Sequence, residues 1–549
     1  MNFSSGKRVK KISFLIGMIL ILLKPEVGLT QSYFIGFTNK VGSEQLITHP
    51  QSFLSDRAIE RRAKQSILID ETDLPLSSIF CDSLVKLGIQ IQHKLKWVNG
   101  VVATSANQLL MDTLTRLSFV ELVELTKPAQ QKSTLSKWSK SETYPLKNSL
   151  LNTTYGDAFM QINTINGIPL HNLGFKGDNM QIAIIDAGFY KVNELPLFSN
   201  LFSNNQLLGT HDFVNPQSDI FMEHTHGMQV LSVIGGYQEN FFMGTAPDAR
   251  FWLLRSEDNA SEYPIEADNW IAAAEFADSV GVDIINTSLG YSLFSDPQFN
   301  YTYNQTNSST RISTAASLAS QKGLIVVVSA GNEGHNVWKY ITMPSDAKGV
   351  MTVGAMSPDS LIAVFSGIGP TSDGRVKPDI VAMGINVANQ NSSGTLSFNG
   401  GTSFSAPLVS GICACLWQAL PNLKATDIVD LIKKSSNHYT SPLAQWGYGI
   451  PNFNKALESG IALSNNGKKI GNWSISPNPF VDYINMNSNQ VLNTKSIRVE
   501  LYASNGQLIL NKNLYKKPYS LKNIGYLPSG LYVLKITQAG NIYTQKVIK

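Results

Sequence analysis

At 549 residues, with 43% apolar and 15% charged side chains, the chain carries enough apolar material for roughly two to four domains and is not disordered throughout. A net charge of +4 is small for that length and argues against a dedicated nucleic-acid binder, which concentrates a basic patch. Three cysteines, Cys81, Cys413 and Cys415, are too few for a disulfide-stapled scaffold.

In chain order, residues 1–30 come first. Lys7, Arg8, Lys10 and Lys11 precede an apolar run over 12–23, the pattern of a secretory signal. The run is short for a membrane span, which needs about 20 apolar residues, and a retained N-terminal anchor is the alternative. Cleavage near Thr30 or Gln31 fits the switch to strand-like sequence at Tyr33, and no later segment is apolar enough to cross a bilayer.

Residues 31–128 read as an α+β unit. "SYFIGFT", "GIQIQHKLKW", "NGVVATSA" and "VELVEL" are strands, "SFLSDRAIERRAKQS" is a polar helix and "NQLLMDTLTRL" has helical spacing. Residues 129–154 are polar, rich in Ser, Lys and Thr and without a period, so they form a linker that should be exposed and easily cut.

Residues 155–462 alternate apolar strands with helices. "MQIAIID", "FWLLR", "VDIINTSLG", "LIVVVSAGN" and "VMTVGA" are nearly continuous in apolar character, as in strands buried on both faces of a parallel sheet. "IEADNWIAAAEFADSVG" and "SSTRISTAASLASQKG" supply helices, which gives an α/β layout with both faces covered. Residues 463–472 form a second polar joint. Residues 473–549 are alternating strands broken by Asn-Gly, Pro-Ser-Gly and Ala-Gly-Asn turns, a small β-sandwich-like domain.

Four positions in the α/β region could carry chemistry. Asp186 ends the strand "MQIAIID", where functional groups collect in a parallel sheet, although an Asp there also caps turns. His226 opens the apolar stretch after "FMEHTHG". With Glu223 and His224 it also offers a metal-site alternative, but no further ligand has convincing spacing. Asn332 lies in the Gly-flanked loop of "VVVSAGNEGH", as a turn former or as an amide donor. Ser403, in "NGGTSFSAPLVSGICACLW", sits at the mouth of a buried helix, as a cap or as a nucleophile at the positive end of the dipole. Cys413 and Cys415, two apart on that helix, point to different faces and read as small buried apolar residues.

Together these segments resemble the subtilase family of serine proteases, through "IAIIDAGF", "HTHGMQVLSVIGG", "INTSLG", "VVVSAGNEG" and "GGTSFSAPLVSGI". The resemblance implies a subtilisin-like parallel sheet with helices on both faces, flanked by an N-terminal α+β pro-domain and a C-terminal β-sandwich-like domain. It implies Ser403 as nucleophile, His226 as general base, Asp186 as the group orienting the imidazole, and Asn332 with the Ser403 N–H as oxyanion hole. Ser288, Leu289 and Gly290 resemble the substrate-binding edge, where an extended peptide adds as a strand. Two positions depart from the family pattern: Ala187 and Met228 stand where hydroxyl residues are common. No cofactor is expected; structural calcium, frequent in the family, has no clear ligand set here. An α/β-hydrolase esterase is disfavoured, because Ser405 stands where its G-x-S-x-G elbow needs a Gly.

Residues 31–128 resemble the inhibitory pro-domain of subtilases, with a longer first helical segment. "SPNPF", "LYASNGQLI" and "LPSGLYVLKI" resemble the type A C-terminal sorting domain of the Bacteroidetes type IX secretion system. The expectation is therefore a secreted or cell-surface serine endopeptidase made as a precursor. It would act on proteins or peptides and be handled by that secretion machinery, with no nucleic-acid partner and no membrane span after signal removal. The alternative is a catalytically impaired binding or adhesion protein on the same fold.

Overall fold

The computed structural model describes residues 30–129, 154–467, 473–488, 496–503, 507–515, 517–538 and 541–549. The signal segment, nearly all of the 129–154 linker, the last residues of the second joint and the Asn505-Gly506 and Ala539-Gly540 turns lie outside the described residues.

In the N-terminal unit, four antiparallel strands lie in the order Gln90–Leu95, Gly100–Ser105, Gln31–Phe37, Val120–Lys127. Strand alternation gives the first strand two apolar faces. Tyr33, Ile35 and Phe37 meet Leu84, Met111 and Leu114 of the unit's own helices. Phe34 instead joins Leu95, Trp97 and Val102 in one apolar cluster with Trp270, Ile271 and Ala316 of the central domain. The segment read as a polar helix, Asp56–Gln65, is not a solvated one: Arg61 and Arg62 are 5% and 1% exposed. They lie against Asp278 of the central domain, at 2.5 and 2.6 Å.

Seven parallel strands build the central domain, in the order Ile380–Met383, Met351–Met356, Ile325–Ser329, Ile284–Thr287, Gln181–Asp186, Arg250–Arg255, Leu207–Asp212. Alternate residues of Gln181–Asp186 feed two cores. Ile182 and Ile184 share a cluster with Leu408 and Ile412 of helix Thr402–Ala419. Ala183 and Ile185 share the other with Ile271 and Ala274 of helix Pro264–Val280. Two strands escape sequence reading. They are the two edges of the sheet: Leu207–Asp212 is half-exposed with no long apolar run, and Ile380–Met383 is a buried four-residue strand.

Helix Phe453–Gly467 closes the domain and continues five residues past the boundary read at 462. The C-terminal unit is two antiparallel sheets, of three and four strands, around Trp473, Leu501, Leu521 and Leu534. Among the described residues, no helix is long and apolar enough to cross a membrane.

Candidate active site

The strand order reverses beside Gln181–Asp186, whose neighbours are Ile284–Thr287 and Arg250–Arg255. A crevice opens there at the carboxyl ends of the strands. Asp186 is fully buried at this point. Its Oδ1 accepts from His226 Nδ1 at 2.7 Å and from the Ala187 N–H at 2.8 Å. With Nδ1 so engaged, Nε2 is the ring nitrogen left for proton transfer. His226 is the first residue of helix His226–Gly235. Glycine at 227 lets that helix approach: a Cβ there would lie 2.4 Å from the Gly188 carbonyl and 3.0 Å from Asp186 Cβ.

Ser403 is the second residue of helix Thr402–Ala419, with the free N–H groups of the first turn around it. Its hydroxyl donates to the Ser288 carbonyl at 3.1 Å, and the Ser288 hydroxyl donates to the Ser403 carbonyl at 2.9 Å. This reciprocal pair ties the helix mouth to the edge that begins at Ser288. Asn332 is oriented from the same helix: its Oδ1 accepts from Thr402 N–H and Oγ1, both at 2.9 Å. Its amide nitrogen is thereby the donor left on the Gly401 side. His226, Ser288, Leu289, Gly290, Asn332 and Ser403 all line one cleft of about 610 Å³, with Asp186 behind His226.

The two departures have distinct consequences. Met228 is fully buried in the apolar core beside Leu231. Ala187 offers no hydroxyl, and Asp186 Oδ2 is buried without a hydrogen-bond partner.

The residues of the metal alternative are committed elsewhere. Glu223 pairs with Arg255 at 3.2 Å, His224 Nδ1 accepts from the His226 N–H at 3.2 Å, and His226 holds Asp186. Among the described residues, three potential ligand atoms converge only at Glu257, Glu262 and Glu266, within 4.8 Å of one another. That group already accepts protein hydrogen bonds. Glu257 Oε1 takes Ser256 and Tyr291 hydroxyls, and Glu266 takes the N–H groups of Asp258 and Tyr263. The cysteines are buried and unpaired, and burial pushes the Cys413 and Cys415 thiols well up.

A model of the subtilase family matches residues 177–449. The central domain is a subtilase. A Bacteroidota peptidase S8 propeptide domain matches residues 32–141, and a secretion system C-terminal sorting domain matches residues 474–549. With the sorting domain behind it, the subtilase belongs to a secreted or cell-surface protein.

Among relatives, serine protease AprX of Bacillus subtilis strain 168 is 27% identical over 292 residues, 48% of this chain and 62% of that protein. Subtilisin NAT of Bacillus subtilis subsp. natto is 24% identical over 301 residues, 54% of this chain and 70% of that protein. The chain thus spans less than two thirds of AprX. The solved self-cleaved protease domain of PatA is 24% identical, over 52% of this chain and 98% of that one, at a TM-score of 0.42. MycP1 with its propeptide removed is 22% identical, over 54% and 96%, at 0.44.

Glu333 and Thr342 are among the cleft residues of this subtilase that the sequence reading did not single out. Glu333 stands inside the matched segment "VVVSAGNEG" and was masked by its neighbour Asn332. Thr342 arrives from a later loop, and no local pattern marks it. Burial pushes the Glu333 carboxyl up to about 6, against the pull of the Asn332 and Glu333 backbone amides.

Proposed function

We propose that the chain is the precursor of a secreted serine endopeptidase, which cuts peptide bonds with Ser403 as nucleophile, His226 as general base and acid, and Asp186 as the group that orients and stabilises the imidazolium. The observation that carries this reading is the His226–Asp186 pair at 2.7 Å, opening on the same cleft as Ser403 and Asn332. A peptide laid along Ser288–Gly290 presents its carbonyl to Ser403 Oγ. His226 Nε2 takes the hydroxyl proton as the C–O bond forms and returns it to the leaving amine. Negative charge on the carbonyl oxygen falls between the Asn332 amide and the Ser403 N–H, with the helix dipole behind it. Water then repeats the attack on the acyl-enzyme. The C-terminal sorting domain assigns passage to the type IX secretion machinery.

The test is hydrolysis of a mixed peptide substrate by wild type and Ser403→Ala. Loss of the nucleophile costs about 10⁶ in turnover in subtilisin, and a comparable loss is expected here. A folded variant that keeps a tenth of the activity contradicts the assignment. The unpartnered Asp186 Oδ2 is the observation that favours a catalytically impaired binding protein instead. In that case wild type itself hydrolyses no peptide.

A further inference from the structure

The chemistry above depends on His226 keeping Nδ1 on Asp186 Oδ1. His226 is the first residue of its helix, and Thr225 at the N-cap makes no side-chain cap bond. The bonds that reach the preceding turn are long. His226 N–H donates to His224 Nδ1 at 3.2 Å, Tyr190 N–H to the His224 carbonyl at 3.3 Å, and Glu223 N–H to the Ile220 carbonyl at 3.4 Å.

Arg255 supplies a firmer hold. It ends strand Arg250–Arg255, level with Asp186 on one neighbouring strand and with Asp212 on the other. Its buried guanidinium forks: Nη1 donates to Asp212 Oδ2 at 2.8 Å, and Nη2 pairs with Glu223 Oε2 at 3.2 Å. Asp212 in turn organises the start of the segment that leads to His226. Its Oδ1 accepts the Val214 and Asn215 N–H groups, both at 2.8 Å, and its Oδ2 accepts the Ser218 hydroxyl. Glu223 stands near the other end of that segment, three residues before His226. One guanidinium therefore joins both ends of 212–226 to the strand beside Asp186. The turn is also pressed close to Asp186. A Cβ on Gly188, two residues after Asp186, would lie 2.6 Å from Glu223 Cβ and 2.4 Å from the His224 nitrogen.

Stability alone does not account for this arrangement. Apolar replacement of a buried ion pair is often neutral or stabilising, and Arg255 Nε is buried without a hydrogen-bond partner. Contact with substrate does not account for it either, because Arg255 is not among the residues that line the cleft. The choice of arginine fits a joint between two acids. Its planar fork reaches both in a fixed geometry, whereas an ammonium is a point charge on a flexible stem.

We propose that Arg255 is a positioning residue for the general base: through Glu223 it fixes the turn that carries His226, so that the imidazole stays on Asp186 with Nε2 presented to Ser403. This deepens the serine-peptidase reading and rests on it.

The experiment measures kcat and KM on one peptide for processed wild type, Arg255→Gln, Arg255→Lys and Glu223→Ala. Competent sites in each preparation are counted by fluorophosphonate titration of Ser403. A misplaced base slows every site, whereas a merely structural fault removes sites and leaves the rest at full speed. Expected is a kcat per titrated site about 10²-fold lower in Arg255→Gln and about tenfold lower in Glu223→Ala, with KM changed by less than about twofold. Arg255→Lys should recover part of the loss, because an ammonium still reaches one acid. Glu223→Ala decides even if Arg255→Gln does not fold, because Arg255 there keeps Asp212. Wild-type kcat per titrated site in Glu223→Ala overturns the proposal, as does a loss confined to KM. Either result alongside Ser403-dependent cleavage by wild type defeats this proposal alone, whereas wild type that cleaves no peptide defeats the peptidase reading with it.

Discussion

Among the described residues, Asp186 Oδ1 accepts two hydrogen bonds and its Oδ2 accepts none. An orphaned buried carboxylate oxygen costs about 1–3 kcal/mol, which the fold tolerates while Oδ1 holds the imidazole. Asn332 is positioned with more redundancy, by two bonds to Thr402, so its amide is rigid before substrate arrives. Asn332→Leu should therefore lower kcat by about 10²–10³ with a smaller change in KM, read by steady-state kinetics on one peptide. A change confined to KM would make Asn332 a wall of the cleft only. The sequence proposed Asp186, His226, Asn332 and Ser403 through the segments that carry them taken together, and His226, Asn332 and Ser403 line one cleft with Asp186 behind His226. Glu333 and Thr342 were not singled out. They line the cleft from separate places in the chain, packed against Gly290 and Gly331, and one-dimensional spacing does not encode that meeting.

At the scale of elements, helix Pro264–Val280 serves two domains. One side packs on the parallel sheet through Ile271 and Ala274, while Glu275 and Asp278 receive the N-terminal unit. Glu275 accepts the N–H groups of Lys96 and Trp97 at 2.9 and 2.8 Å. Burial pushes its carboxyl from 4.5 up to about 7. Docking thus takes up a proton at Glu275. That contribution to docking is full below about 4.5 and is lost as pH rises through about 7. Buried His93 and Lys40, both pushed down by burial, work in the opposite sense. The quantity to measure is therefore wild type minus Glu275→Gln. Hydrogen exchange in strand Val120–Lys127 should show the difference between the two proteins growing between pH 5 and about 7.5 and flat below that window. A difference independent of pH would remove Glu275 as the titrating group.

Asp278 holds Arg61 and Arg62, and Arg62 also binds Asp73, all of them buried. Asp278→Ala should loosen the N-terminal unit by about 3–5 kcal/mol, because buried Arg61 loses its ion-pair partner and buried Arg62 keeps only Asp73. Limited proteolysis of the 31–128 region checks this, with unchanged digestion as the contrary result. The helix carrying Arg61 and Arg62 reads as polar from its composition. Its arginines are buried only because another domain supplies the acids, which local sequence cannot reveal. Five of the seven parallel strands were legible from their apolar runs, and the two edge strands were not.

Over the whole molecule, a propeptide domain, a subtilase domain and a sorting domain follow one another along the chain. This order was readable in the sequence, since each unit carries its own period and turns. The docking surface between the first two was not, since it is built from residues more than a hundred apart, as in Arg57 with Asp283 and Gln65 with Gly323. If the subtilase domain processes its own linker, purified Ser403→Ala precursor should remain uncut while wild type loses the 31–128 unit, as read by N-terminal sequencing. Normal processing of the purified variant would assign that cut to another protease.

In the proposed chemistry Ser403 is an activated nucleophile in the cleft shared with His226 and Asn332. Intact-mass and peptide mapping after treatment with a fluorophosphonate probe tests it most directly. Processed wild type should carry one adduct, on Ser403, with peptide hydrolysis lost in step with labelling, and Ser403→Ala should carry none. Wild type that cleaves peptides while Ser403 stays unlabelled, or a variant labelled as well as wild type, would contradict it.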